Sequence, residues 1–321
     1  MGERYVSGGF NWTGRVDGDS YDQLRWHQVV KQIDLDRVGS LKKGFCLLGF
    51  KCDMGVKANK GRPGAAEAPD VVRAHLASLP CHLDEIGLYD AGDVICEKDL
   101  DAALDLLADR VRRIFQLNLF PIVIGGSHDV AFGTVSGYCR YFGDIPGIVN
   151  FDAHFDMRDY SAGPSSGTAF KQIGDICNDK KHTFKYCCVG VQKAANTREL
   201  FNRAKEYQVK WIDIEMVRFN STRAIKELDE FVDSVMGNLH LSICCDVFAN
   251  HVAPGVSAPQ PFGMDLGEFL NLFYFMISTG KLKSFDIAEV SPPLDIDGRT
   301  SRLAAHIIFR LVDGLVFNKL F

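Results

Sequence analysis

At 321 residues the chain is long enough for one large domain or two ordinary ones, and 46% hydrophobic with 24% charged residues is a globular composition with a large core. A formal net charge of −5, with Lys and Arg dispersed, excludes the basic footprint that nucleic acid or an anionic membrane surface requires. No apolar run reaches the length of a membrane span, and Met1-Gly2-Glu3-Arg4-Tyr5 lacks a signal-peptide core.

Residues 1–40 are polar and weakly periodic and are expected to form a peripheral N-terminal arm or helix. Val6 stands where a myristoylation motif on Gly2 wants Ser or Thr. From about residue 45 onward, short apolar runs alternate with amphipathic stretches. The strand candidates are Phe45–Phe50, Gly87–Asp90, Pro121–Ile124, Gly147–Phe151, Tyr186–Val191, Val209–Asp213, Leu239–Cys245 and Leu282–Ile287. Helical spacing predicts Ala66–Leu79, Asp99–Asn118, Ser127–Phe142, Thr197–Glu206, Thr222–Met236, Leu266–Thr279 and Ser301–Phe317. Such alternation implies an α/β chain: a three-layer α/β/α arrangement around a mostly parallel, doubly wound sheet. With no Pro- or Ser-rich linker and no repeat, residues 1–321 read as one domain. The ten cysteines show no CxxC or zinc-finger spacing, so most are expected to be small buried hydrophobes in a reducing compartment, the cytoplasm.

In doubly wound sheets functional groups collect at the carboxyl ends of the strands. Asn150-Phe151-Asp152-Ala153-His154-Phe155-Asp156 lies at one such end. Its two aspartates and histidine alternate, so a strand end would point all three one way. A buried face cannot hold them without a cation or a full hydrogen-bond network, and the donor types suit Mn, Zn or Mg. His128 follows Gly125-Gly126 at the end of what reads as the neighbouring strand, where the glycines would permit a tight turn. Asp246 ends a later strand, and Glu289 follows the last.

These pieces, in this order, resemble the ureohydrolase superfamily of arginases, agmatinases and formimidoylglutamases. That superfamily carries a GG-x-H segment, a DAHxD segment and an S-x-D-x-D segment around two manganese ions. Within it the chain is most similar to the formimidoylglutamases, through Asn59-Lys60-Gly61-Arg62, Phe155-Asp156-Met157-Arg158, Ser165-Ser166-Gly167-Thr168, Ala253–Pro259 and Asp286-Ile287-Ala288-Glu289. The resemblance implies an arginase-like fold and two Mn2+ ions held by His128, Asp152, His154, Asp156 and Asp246. It further implies hydrolysis of N-formimidoyl-L-glutamate to L-glutamate and formamide in histidine degradation, by a metal-held hydroxide attacking the amidine carbon. Asp156 would orient that hydroxide, and Glu289 would pair with the cationic amidinium.

Arg158 is the expected bidentate partner of a substrate carboxylate. Ser165, Ser166 and Thr168 would add hydroxyl donors. Arginases commonly carry a small polar residue where this chain has Arg158, and a His shortly after the Ser-Gly pair where it has Thr168-Ala169-Phe170. Both departures favour a small acidic amidine over arginine. One position departs from the whole superfamily: Cys244 stands where an Asp usually bridges the two ions. A thiolate prefers softer metals than manganese. Three outcomes are open: a Cys244-ligated pair, a single or weakened ion site, or a site sensitive to thiol oxidation. Another ureohydrolase activity and a metal-poor, non-catalytic member are the competing readings. His251 is expected at the rim rather than among the ligands, and Arg62 at the mouth of the site. Related enzymes form homo-oligomers, and no interface is legible here.

Overall fold

The computed structural model describes residues 2–83 and 85–320. Its strands are β1 (Arg4–Val6), β2 (Lys31–Gln32), β3 (Gly44–Lys51), β4 (Gly87–Ile95), β5 (Leu119–Ile124), β6 (Gly147–Phe151), β7 (Tyr186–Val191), β8 (Lys210–Asp213), β9 (Leu239–Cys244) and β10 (Leu282–Ala288). Its helices are α1 (Trp26–Val29), α2 (Met54–Ala58), α3 (Ala68–Ala77), α4 (Leu100–Gln116), α5 (Val130–Phe142), α6 (Ala169–Lys180), α7 (Arg198–Glu206), α8 (Ile214–Phe219), α9 (Ser221–Asp233), α10 (Leu266–Ser278) and α11 (Arg299–Phe317). No helix among the described residues is long and apolar enough to cross a membrane.

The strands join one sheet in the order β1-β4-β3-β5-β10-β9-β6-β7-β8, with β2 also paired to β4. Only β1 runs antiparallel to its neighbour among these pairs. Because side chains alternate along a strand, each strand feeds two cores. Phe45 and Leu47 join one core with Val72 of α3, Phe269 of α10 and Ile308 of α11. Cys46 and Leu48 join the opposite core with Leu104, Leu107 and Val111 of α4. A third cluster packs α5, α6 and α7 beneath β6 and β7 through Val135, Ile173 and Leu200. The result is a three-layer α/β/α sandwich, as the alternation predicted. Seven cysteines (Cys46, Cys52, Cys177, Cys187, Cys188, Cys244 and Cys245) are buried thiols within it.

Two features depart from the expected pattern. β4 continues past Asp90 to Ile95, because Gly92 (φ +81°) bends the strand and Arg73 neutralises its buried Asp90 and Asp93 at 2.8 and 2.6 Å. The N-terminal segment, expected to be peripheral, instead extends the sheet through β1 and β2 and buries Trp26 to 1% exposure.

Sheet order also corrects the placement of His128. β5 and β6 are not adjacent; β10 and β9 lie between them. The chain leaves β5 through α5, crosses those positions, and later returns to fill them. A crevice forms at such a reversal, outside the carboxyl ends of the central strands. Four neighbouring strand ends therefore meet there: β5, β10, β9 and β6.

Candidate metal centre

The four strands carry polar residues at alternate positions of otherwise apolar runs. Asn150 of β6, Ser242 of β9 and Asp286 of β10 lie side by side in register, and all are fully buried. His240 and Ser284 form a second buried rung one step toward the amino ends, with Nδ1 and Oγ 2.8 Å apart. Cys244 and Asp152 terminate the same ladder at the crevice.

His128 arrives from the bend between β5 and α5. Gly126 is needed there for close backbone approach rather than for a left-handed turn: a Cβ at this position would lie 2.1 Å from the Cys52 carbonyl oxygen. The Ser127 N–H donates to that same carbonyl. His128 Nε2 lies 2.9 Å from Ser242 Oγ, whose hydroxyl donates to Asp286 Oδ1 at 2.5 Å. Since the serine proton is spent on Asp286, Ser242 Oγ accepts from His128, so Nε2 carries the proton. Nδ1 then faces Asp152 Oδ2 at 2.9 Å and Asp156 Oδ2 at 2.8 Å, donating to these carboxylates while the ring is doubly protonated and free to ligate once a cation displaces that proton. His240 Nε2 approaches Asp286 Oδ2 to 2.9 Å, a close contact without hydrogen-bond alignment.

Two sets of three donors converge within 4.8 Å of one another: His128, Asp152 and Cys244, and Asp152, His154 and Asp246. Asp152 belongs to both. Its Oδ1 also accepts the His154 backbone N–H at 2.7 Å, and Asn150 Nδ2 donates to Oδ2 at 3.2 Å, which fixes the carboxylate plane. Asp156 reaches His128 but belongs to neither set of three. It lies past the end of β6 at φ +47°, so a loop rather than strand pleating brings it inward. Likewise a 3-10 turn over Cys245–Val247, not a continuing strand, carries Asp246.

The electrostatics show what the donor set demands. Burial alone would lower the pKa of His128 and His154; the neighbouring carboxylates outweigh it and raise both well above the ordinary imidazole value. Burial pushes Asp152 up, but hydrogen bonds from His128 and His154 hold it well below the usual carboxylate range. Asp156 is pushed up to about 6, by burial first and then by Asp152. The Cys244 thiol is driven far up by burial and by Asp152, Asp246 and Glu289. Asp246 Oδ1 is a buried acceptor without a hydrogen-bond donor. A cluster of carboxylates, imidazoles that hold their protons beside them, and a thiol that resists ionisation until positive charge is supplied fits divalent cations, which would displace those protons.

Above the cluster lies a cavity of about 290 Å³ lined by His128, His154, Asp156, Arg158, Ser166, Cys244, Asp246 and Glu289, together with Val56, Asn59, Lys60, Gly61, Leu200, Ser257 and Ala258. Glu289, at φ +65°, accepts the His128 backbone N–H at 3.0 Å through Oε1. Burial first, then Asp246, pushes its carboxyl up to about 8. Arg158 is in the wall, tied at its backbone N–H to Gly167 O at 2.8 Å, and its neighbour Asp159 is engaged by Ser161 instead.

Thr168 is placed elsewhere: its hydroxyl donates to Ser165 O and accepts from the Ser165 N–H and from Gln172 Nε2, and neither Thr168 nor Ser165 lines the cavity. Arg62 does not line it either; it clamps the Val256 and Ser257 carbonyls. His251 is exposed and 3.4 Å from Asp265. The sequence assigned no role to Asn150, His240, Ser242 or Asp286. The signal that finds them is polar residues two apart inside apolar strands.

The chain matches the family model described as "Arginase family" over residues 43–313. A formimidoylglutamase of Clostridium tetani is 40% identical over 318 residues, covering 95% of this chain and 94% of that one. The crystal structure of a formimidoylglutamase from Bacillus subtilis superposes with a TM-score of 0.80 at 23% identity, covering 94% and 95% of the two chains. That of a Trypanosoma cruzi formiminoglutamase with two Mn2+ superposes with a TM-score of 0.76 at 25% identity, covering 85% and 93%. With a matching sheet and a two-part donor cluster at its switch point, the chain belongs to the arginase family.

Proposed function

We propose that the protein is a formimidoylglutamase that hydrolyses N-formimidoyl-L-glutamate to L-glutamate and formamide. The observation that carries this reading is a pair of donor sets sharing Asp152 beneath a polar cavity with Arg158 in its wall. Relatives of this name at 40% identity over nearly the whole chain support it. His128, Asp152 and Cys244 would hold one Mn2+, and Asp152, His154 and Asp246 the other. When bound, two divalent cations would supply Lewis acidity and bring the pKa of a water toward neutrality.

The chain's own residues do the rest. Ser242 fixes His128 with Nδ1 facing the cluster, and Asn150 fixes Asp152. Asp156, which already touches His128, would orient the attacking water. Glu289, ionised once the cationic amidinium enters, would pair with it and hold the formimidoyl carbon above the cluster, which is proximity catalysis. Arg158 takes a substrate carboxylate. The oxygen of water bonds to the formimidoyl carbon, the bond from that carbon to the glutamate nitrogen breaks, and a proton passes to the leaving amine.

The direct test is release of L-glutamate and formamide from N-formimidoyl-L-glutamate by manganese-reconstituted protein kept reduced. Turnover is expected. Hydrolysis of agmatine or arginine in its place would transfer the chain to another branch of the family.

A further inference from the structure

We infer that Lys60 is the second carboxylate clamp of the substrate site and makes it selective for dicarboxylic amidines. The inference rests on the amidine-hydrolase reading above. N-Formimidoyl-L-glutamate carries two carboxylates, one on the carbon bearing the amidine nitrogen and one at the end of the side chain. A site that takes both needs two cations. Besides its imidazoles, the cavity wall contains only two among the described residues, Arg158 and Lys60.

Neither cation is committed elsewhere. Among the described residues no acidic partner and no side-chain hydrogen bond engages Arg158 or Lys60. The contrast is Arg62, two residues on, whose guanidinium is spent on the Val256 and Ser257 carbonyls at 2.8–3.1 Å and whose backbone N–H is bound by Ser257 Oγ. That clamp ties the loop carrying Lys60 to the Val256–Ser257 segment and leaves the Lys60 ammonium available.

The backbone says more. Helix α2 ends in a paired closure: Gly61 N–H donates to Val56 O at 2.8 Å and Lys60 N–H to Lys57 O at 3.0 Å. This pattern requires its penultimate residue in the left-handed region, a place that favours glycine. Here Lys60 occupies it at φ +61°, with the glycine one position later. Glycine is therefore compatible with the backbone at this position.

The two cations come from different loops of the cavity wall. Arg158 follows Asp156 by two residues and packs on Gly167, where a Cβ would lie 2.9 Å from its Cδ. Both side chains are exposed, and Lys60 lies at α2's end, with no metal-ligand candidate next to it in the chain. By its closeness in the chain to Asp156, which touches His128, Arg158 is assigned the carboxylate beside the reacting nitrogen, and Lys60 the distal one.

The test compares wild type, Lys60→Gly and Lys60→Arg, all manganese-loaded and reduced. Glycine suits the left-handed backbone, so loss of folding does not confuse the result; a thermal melt checks this. On N-formimidoyl-L-glutamate, Lys60→Gly is expected to raise KM about tenfold or more with kcat nearly unchanged, and Lys60→Arg to restore most of the loss. On N-formimidoyl-L-alanine, which lacks the distal carboxylate, wild type and Lys60→Gly should be alike. Calorimetric binding of L-glutamate should weaken in parallel. Equal KM for wild type and Lys60→Gly on the dicarboxylate, or the same penalty on both substrates, overturns the inference. A wild type that turns over neither substrate sinks the proposed function instead, and the L-glutamate binding comparison then still decides the role of Lys60.

Discussion

Cys244 concentrates the chemistry of the site in one atom. Its sulfur converges with His128 and Asp152, yet it is 2% exposed and surrounded by carboxylates that oppose a thiolate. A cation must therefore offset the cost of ionising it, whereas an Asp is already ionised and harder. Cys244→Asp should tighten manganese binding by about tenfold or more, the scale on which changes around metal sites act. Competition with a chelator checks this, and unchanged affinity would place Cys244 outside the ligand set. Arg158→Ala should raise KM for the acidic substrate by about tenfold or more while sparing kcat; unaffected KM would end its role as a clamp. That His128, Asp152 and Asp246 converge was legible because each closely follows the carboxyl end of a strand, where the fold delivers side chains to the crevice. Thr168 was misplaced because a hydroxyl in sequence does not reveal its partner, and here the partners are Ser165 and Gln172.

At the scale of elements, β9 and β10 together orient His128 from below. Ser242 and Asp286 settle which ring nitrogen carries the proton, and His240 packs behind Asp286 at 2.9 Å. Asp286→Asn can turn its amide toward Ser242, so the serine need no longer spend its proton downward. Manganese affinity should fall roughly tenfold to a hundredfold, as for other residues that orient metal ligands, with little change in thermal stability. An unchanged affinity would show that the ladder does not act on the metal ligand. Gly126→Ala tests a different contact: its Cβ would press on the Cys52 carbonyl, a backbone atom with no room to give. A loss of about 1–3 kcal/mol in denaturant unfolding is expected from such overpacking. The ladder was hidden in sequence because strands rich in Leu, Ile and Phe read as apolar on both faces. Only the register of β6, β9 and β10 brings their isolated polar residues into one row.

Across the whole molecule, stability and chemistry are housed apart. Arg73 joins α3 to β4 by ion pairs with Asp90 and Asp93, all deep in the fold and on the β3–β4 side of the sheet. Arg73→Leu leaves both carboxylates short of their main partner and should cost about 3–5 kcal/mol, while the variant that remains folded binds manganese as wild type does. The alternation of strands and helices carried the three-layer fold in the sequence. Strand order was not legible, because β9 and β10 enter the centre of the sheet from late in the chain. That late insertion builds the crevice, and Asp152 stands at its middle in both donor sets. Manganese stoichiometry by equilibrium dialysis, on reduced wild-type protein and on Asp152→Ala, therefore tests the account most directly. Two ions per chain in the wild type and the loss of both in Asp152→Ala are predicted; one ion or none in the wild type, or two retained in the variant, would contradict a centre built on a shared Asp152.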